Sequence, residues 1–217
     1  MPRPVLYVLA GVNGAGKSSI GGYVLERAGA TWFNPDAFAR ELMAATDCTQ
    51  DTSNAEAWAE SVRRLDEAVD ARRAHAFETT LGGRTMVDKI LAATRTHDVM
   101  VWFCGLVSPE LHIARVRARV AAGGHDIPEE KIRERYPRAI ANLIALMSHL
   151  AHLQVYDNSA EAARGKPVPD PVLVLEMNAG RLVTPSPADS HALRATPHWA
   201  KPIVEAALSP RPGPSAG

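Results

Sequence analysis

The chain has 217 residues, 46% of them hydrophobic and 22% charged, with 24 Lys+Arg balanced by 24 Asp+Glu. That length fits one domain with a real core, and the zero net charge argues against a protein built to coat nucleic acid, which carries a basic excess. Cys48 and Cys104 stand far apart and form no CxxC pair, so neither a zinc site nor a redox motif is suggested, and no run approaches the ~20 apolar residues of a membrane span.

Val5 to Ala10 is a short apolar run that reads as a buried strand, followed by glycines and a helix pattern from Lys17 to about Arg27. The N-terminus runs straight into that glycine segment with no signal-peptide stretch, so the expected location is cytoplasmic. A second short strand at Thr31–Phe33 leads to Asn34-Pro35-Asp36, where Pro35 biases Asn34 towards extended backbone and Asp36 can cap a helix over Ala37–Ala45. Asn54 to His75 is predicted as an amphipathic helix, with Trp58, Val62, Leu65, Val69 and Arg72 on one face. Ala76–Thr79 reads as a strand, Thr85–Thr94 as a helix, and Val99–Val107 as the clearest buried strand. A helix from Pro109 to about Ala121 ends at Gly123-Gly124, and a second helical stretch reaches His152 with a break or kink expected at Pro137. Leu153–Tyr156 is a short strand, Arg164–Pro171 a polar loop, and Val172–Val183 a β-hairpin.

Alternating strands and helices predict an α/β fold of P-loop type: a mainly parallel sheet covered by helices on both faces, with a small C-terminal hairpin. Residues 1–208 are expected to form one domain, with a lid at about 123–138, and the Pro/Gly/Ser-rich 209–217 to be disordered. Parallel sheets bind ligands at the carboxyl ends of their strands. That gathers the loops after Ala10, Phe33, Phe77 and Val107 at one rim.

The strongest motif is Gly11-Val-Asn-Gly-Ala-Gly-Lys17-Ser18, a full G-x-x-x-x-G-K-[ST] between a strand and a helix. Glycines let backbone N–H groups curl around phosphate oxygens, and the helix start adds its positive dipole end. Gly11, Asn13, Gly14, Ala15, Gly16, Lys17, Ser18 and Ser19 thus form the expected site for ATP, with Lys17 on the β and γ phosphates and the Ser18 hydroxyl on Mg²⁺. No apolar strand ends convincingly in Asp and there is no N-K-x-D motif, which points away from motors and switches and towards kinases.

A kinase needs a base for the acceptor hydroxyl, and Asp36, after the second strand, is the candidate; a plain helix N-cap is the competing role. Phe77-Glu78-Thr79-Thr80-Leu81-Gly82-Gly83-Arg84 puts Glu78 and two threonines at a strand end. These groups suit a polyhydroxylated substrate or Mg²⁺-bound water, or simply make a polar turn. Between Leu111 and Arg138 stand seven Lys/Arg against four Asp/Glu. Arginines after the Gly123-Gly124 hinge could neutralise a phosphate in transfer, or form a solvated helix face. His125 reads as a loop residue.

Taken in order, GVNGAGKSS, NPDAFA, FETTLGGR, GLVSPELHIARVRARVAAGGHDIPEEKIRERYPRAIANL and YDNS resemble the zeta-toxin family of P-loop kinases over residues 4 to 160 or so. The resemblance implies an ATP- and Mg²⁺-dependent kinase whose studied relatives phosphorylate UDP-N-acetylglucosamine on a sugar hydroxyl. It assigns Lys17 and Ser18 the Walker roles, Asp36 the base, and Glu78, Thr80 and Arg84 the acceptor side. Arg135 and Arg138 become lid arginines over the phosphates. It also implies a small-molecule acceptor and allows for an antitoxin protein as partner. Where plasmid-type toxins carry an arginine before the lid proline, this chain offers His125. A kinase for a nucleoside, an antibiotic or a nucleic-acid end, and a non-catalytic ATP-binding regulatory module, stay open as alternatives.

Overall fold

The structure is a computed structural model that describes residues 2–18, 21, 32–161 and 169–209. The sheet has six strands: β1 (Val5–Ala10), β2 (His75–Thr79), β3 (Asp98–Gly105), β4 (His152–Asp157), β5 (Val172–Asn178) and β6 (Arg181–Thr184), in the spatial order β2-β1-β3-β4-β5-β6. The first four pair in parallel; β5 and β6 add antiparallel. Phe33 makes a parallel bridge to Phe77, continuing the sheet beyond β2. The expected hairpin therefore exists, but it is the outer part of the main sheet rather than an appendage.

Parallel strands are buried on both faces, which is why Leu6, Val8, Leu9 and Ala10 are each at most 1% exposed. The larger core lies on one face, where Val8, Phe77, Val101 and Phe103 meet helices α3 (Arg84–Ala93), α5 (Glu129–Leu146) and α7 (Lys201–Leu208). A smaller cluster of Leu9, Ala76, Trp102 and Cys104 covers the other face. There burial pushes the Cys104 thiol up to about 12, the behaviour of an inert core thiol. Register brings the strand ends level: Ala10 pairs with Thr79 and Phe103, and Gly105 with Asp157. The loops after β1, β2, β3 and β4 consequently share one rim.

The helices differ from the sequence reading in instructive ways. Helix α1 (Pro35–Ala45) is capped by Asn34, whose Oδ1 accepts the Ala37 N–H at 3.0 Å; Asp36 is in the first turn and is not the cap. Asparagine followed by proline at the first helical position is the favoured arrangement. Helix α2 covers Gln50–Asp70 rather than 54–75. Thr49 caps its start, and at its end Arg72 takes φ +49 while Arg73 N–H bonds back to Ala68 O at 2.9 Å. That left-handed stop is normally a glycine's, so its arginine hides it. The buried stripe of α2 is Ser53, Ala57, Ser61, Leu65 and Ala68, all small except Leu65, which allows α1 to approach closely, and Trp58 is left 53% exposed.

Helix α4 (Pro109–Ala121) starts and ends as expected. Helix α5 runs through Pro137 without a break. Pro137 is on the exposed side, where the carbonyl it leaves unpaired can be hydrated. After β6 come two further helices, α6 (Ser190–Ala195) and α7, that the sequence reading did not place. Between them Trp199 packs against Gly105, where an added Cβ would sit 2.2 Å from the indole ring. The predicted helix to Arg27, Thr31, most of the Arg164–Pro171 loop and the tail from 210 lie outside the described residues. Among the described residues no helix is long and apolar enough to cross a membrane.

Candidate active site

The glycine motif leaves β1 as a tight loop with Gly11, Gly14 and Gly16 at φ +139, +82 and +85. None of these positions has room for a side chain: a Cβ on Gly14 would lie 2.7 Å from the His112 carbonyl oxygen. A Cβ on Gly11 would lie 2.3 Å from the Cys104 carbonyl oxygen, and one on Gly16 would lie 2.3 Å from Asn158 Nδ2. Lys17 and Ser18 open a helical turn. Ser19 lies outside the described residues.

Side chains from three distant elements hold this loop. Asn158, just beyond β4, donates from Nδ2 to Ala15 O at 2.8 Å. His112 of α4 donates from Nδ1 to Asn13 O at 2.8 Å. Arg135 of α5 donates from Nη1 to Asn13 Oδ1 at 2.8 Å. His112 is fully buried, and burial holds it down at about 4, against the partial help of the Asn13 carbonyl; its Nε2 has no partner. The ring therefore works as a neutral donor. His112 and Asn158 stand in two of the segments that carry the resemblance, GLVSPELHIARV and YDNS, but received no role because each acts on a P-loop backbone carbonyl 99 or 143 positions away.

Beside the loop opens a cleft of about 350 Å³. Lys17, Asn13, Asp36, Glu78, Thr80 and Arg135 all line it, together with Asn54, Trp58 and Ser61 from α2. The expected rim is thus a real concavity. Glu78, 7% exposed, is its most enclosed acid. Its Oε1 accepts from Trp32 Nε1 at 3.0 Å, Asn34 Nδ2 at 3.1 Å and Ser18 Oγ at 3.3 Å. Three donors on one oxygen satisfy a buried carboxylate, and they tie it to the Ser18 hydroxyl. Thr80 Oγ1 accepts the Gly82 N–H at 3.3 Å, which shapes the turn after β2.

Asp36 is 37% exposed at its side chain and faces Arg119 Nη1 at 3.6 Å. Arg119 also donates from Nη2 to His125 O at 2.7 Å, so one guanidinium joins the candidate base to the α4–α5 connection. His125 itself is buried, with Nε2 unpartnered, and burial lowers its basicity despite the nearby Asp36 charge. His125 is in the α4–α5 loop, as the sequence suggests, but it is buried there with a carboxylate nearby.

The basic cluster disperses. Arg133 pairs with Glu110 at 2.6 Å, Arg117 with Glu129, and Arg138, 60% exposed, with Glu134 one turn away. Arg115 donates to Ala160 O at 3.1 Å. Arg135 alone of the expected lid arginines lines the cleft, and burial lowers its pKa from the usual guanidinium range. Arg84 is 68% exposed and pairs with Asp88 at 2.9 Å, outside the cleft lining. Of the expected site residues, the structure brings together Lys17, Ser18, Asp36, Glu78, Thr80 and Arg135; it leaves Arg84 and Arg138 on the surface.

Among the described residues no group of three His, Cys, Asp or Glu could form a metal cage. Mg²⁺ rarely uses one: it keeps several waters and takes one or two protein oxygens beside substrate phosphates. The linked Ser18 hydroxyl and Glu78 carboxylate at the foot of the P-loop are a donor set of that kind. An aspartate does end β4, but Asp157 is occupied by Ser159 and by Trp199 Nε1 at 3.3 Å, away from the cleft lining.

No curated protein matches the chain in sequence. Solved structures match in fold. A chain of the AvrRxo1-ORF1:-ORF2 complex with ATP superposes with a TM-score of 0.63 at 14% identity, over 83% of this chain and 60% of that one. A chain of the PezAT chromosomal toxin–antitoxin system of Streptococcus pneumoniae gives 0.51 at 16% identity, over 72% and 68%. One from the Pnkp1/Rnl/Hen1 RNA repair complex gives 0.50 at 21%, over 65% and 46%. The chain spans 60–63% of the length of the first two AvrRxo1-ORF1:-ORF2 chains it resembles. The fold is that of P-loop kinases, and with residues 6–138 matching the AAA domain family, well over half of its sequence, the chain belongs to that family.

Proposed function

We propose that this chain is an ATP-dependent phosphotransferase acting on a hydroxyl of a small molecule, most specifically a UDP-N-acetylhexosamine such as UDP-N-acetylglucosamine. The observation that carries the reading is that Asp36 and Lys17 line one cleft, with Glu78, Thr80 and Arg135 around them. A module that only senses ATP has no use for a carboxylate beside the phosphate loop. The sugar-nucleotide acceptor rests on the zeta-toxin resemblance of the NPD, FETTL and GGHDIPE segments.

In this reading the P-loop N–H groups and Lys17 bind the phosphates of ATP. Asp36 takes the proton of the acceptor hydroxyl as its oxygen bonds to the γ-phosphorus and the bond to the β–γ bridging oxygen breaks, releasing ADP. Arg135 neutralises charge on the phosphoryl group in transit, and Thr80 and Glu78 orient the acceptor side. Glu78 also fixes the Ser18 hydroxyl. Ser18 would hold Mg²⁺, which would supply charge neutralisation at the phosphates. Such transfer is mostly positioning and electrostatics. The complexes with protein partners seen for similar folds are consistent with an antitoxin-type partner here.

The test is transfer of label from γ-labelled ATP to UDP-N-acetylglucosamine, with Lys17→Ala as control. Labelled sugar nucleotide is expected from the wild type and none from the variant. Its absence from the wild type at millimolar acceptor overturns the acceptor assignment.

A further inference from the structure

Helix α2 turns small residues inwards, so its one large aromatic is conspicuous. Ala57 and Ser61 are each 2% exposed and line the inner part of the cleft, while Trp58 lines the same cleft at 53% exposure. The other exposed large apolar residues among those described are Met43, Val107, Val172, Val183 and Leu208; none is aromatic and none lines the cleft. A tryptophan half in water at the edge of a polar concavity is a flat surface awaiting a flat ligand. Asn54, one turn earlier, also lines the cleft and carries an amide that both donates and accepts, a group suited to the edge of a base. Room remains at the cleft wall: a Cβ added to Gly83 would meet nothing within 4 Å.

Depth assigns which part of an acceptor meets which residue. The reacting hydroxyl belongs beside Lys17 and Asp36, close to the phosphate loop. Trp58, by its exposure, is at the mouth and meets the end of the acceptor farthest from the chemistry. In a nucleotide-linked sugar that end is the base. We propose that Trp58 is a stacking platform for the heterocyclic base of the acceptor, so that the enzyme selects nucleotide-linked sugars over free ones. The inference deepens the phosphotransferase reading of the cleft and rests on it.

Stacking of a base on an aromatic side chain is worth about 1–3 kcal/mol by alanine substitution, which corresponds to roughly five- to a hundredfold in affinity. The direct test is calorimetric binding of UDP to the protein with its P-loop saturated by a non-hydrolysable ATP analogue. Wild type should bind UDP, Trp58→Ala should weaken it roughly five- to a hundredfold, and Trp58→Phe should recover most of the loss. Affinity for the ATP analogue should be the same in all three. In the transfer assay Trp58→Ala should raise KM for UDP-N-acetylglucosamine and leave KM for N-acetylglucosamine 1-phosphate, which has no base, unchanged. Equal UDP affinity in wild type and Trp58→Ala, or no UDP binding by the wild type, overturns the platform. Trp58-dependent UDP binding without label transfer to UDP-N-acetylglucosamine would instead overturn that acceptor assignment and leave the platform standing.

Discussion

Replacing Asp36 by asparagine separates chemistry from structure, because the structure bounds what the carboxylate contributes to folding. The helix cap belongs to Asn34, which accepts the Ala37 N–H at 3.0 Å and is untouched by the change. Two contributions remain. A first-turn carboxylate gains about 0.3–1 kcal/mol from the helix dipole. The 3.6 Å pair with Arg119, with both side chains about a third exposed, is worth at most about 1 kcal/mol. Asp36→Asn should therefore cost less than about 2 kcal/mol, a fall in Tm of no more than about 8 °C for a chain of this size. A positioned general base contributes roughly 10²–10⁴-fold to rate. The assay is kcat for labelled phosphate transfer beside ATP affinity and a thermal melt, wild type against Asp36→Asn. A drop of at least roughly a hundredfold in kcat with ATP binding retained is expected. Turnover within about threefold of wild type would refute the base assignment and move attention to Glu78.

Arg135 and Arg138 should part company. Arg135→Ala should lower kcat by roughly 10²–10³-fold, the scale of losing one preorganised donor to developing charge, whereas Arg138→Ala, at an exposed pair with Glu134, should stay within about twofold. Equal losses measured side by side would show that the present geometry of α5 does not describe catalysis. His112 gives a pH signature of stability. Its folded pKa of about 4 lies below the ordinary imidazole value of 6.5, so the unfolded chain binds the extra proton between those values, and stability falls as pH drops from about 6.5 towards about 4. The loss is at most about 3 kcal/mol. Urea midpoints at several pH values should show that component in the wild type and not in His112→Asn, which keeps a donor near Nδ1 and does not titrate; parallel pH profiles would refute it.

The fold was legible where backbone geometry and sequence are the same statement. Glycines at Gly11, Gly14 and Gly16 are there because positive φ and close approach leave no alternative, so the motif announces its own conformation. Apolar runs announced β1 and β3 for an equally local reason. What stayed hidden depends on rotation about a helix axis or on long-range docking. Seven cations on α4 and α5 read alike in sequence, yet only helix phase turns Arg135 into the cleft and Arg138 out of it. Trp58 looked like core by its spacing with Leu65; Ala57 and Ser61 took the inward face instead because α1 packs close. Asn34 and Asp36 are both good caps, and only the backbone at Asn34, extended with Pro35 next in the chain, decides between them.

The residues that grip the P-loop lie 99, 122 and 143 positions further along the chain. A growing polypeptide thus carries the glycine sequence for on the order of ten seconds, at ordinary synthesis rates, before Asn158 exists to close it. ATP can stabilise the chain only through a conformation able to bind it, and the contacts that hold the P-loop are incomplete until Asn158 is made. Fragments ending before Asn158 should gain no protection from ATP, however intact their first twenty residues. Nucleotide binding as proposed would thereby report on the completeness of the four parallel strands.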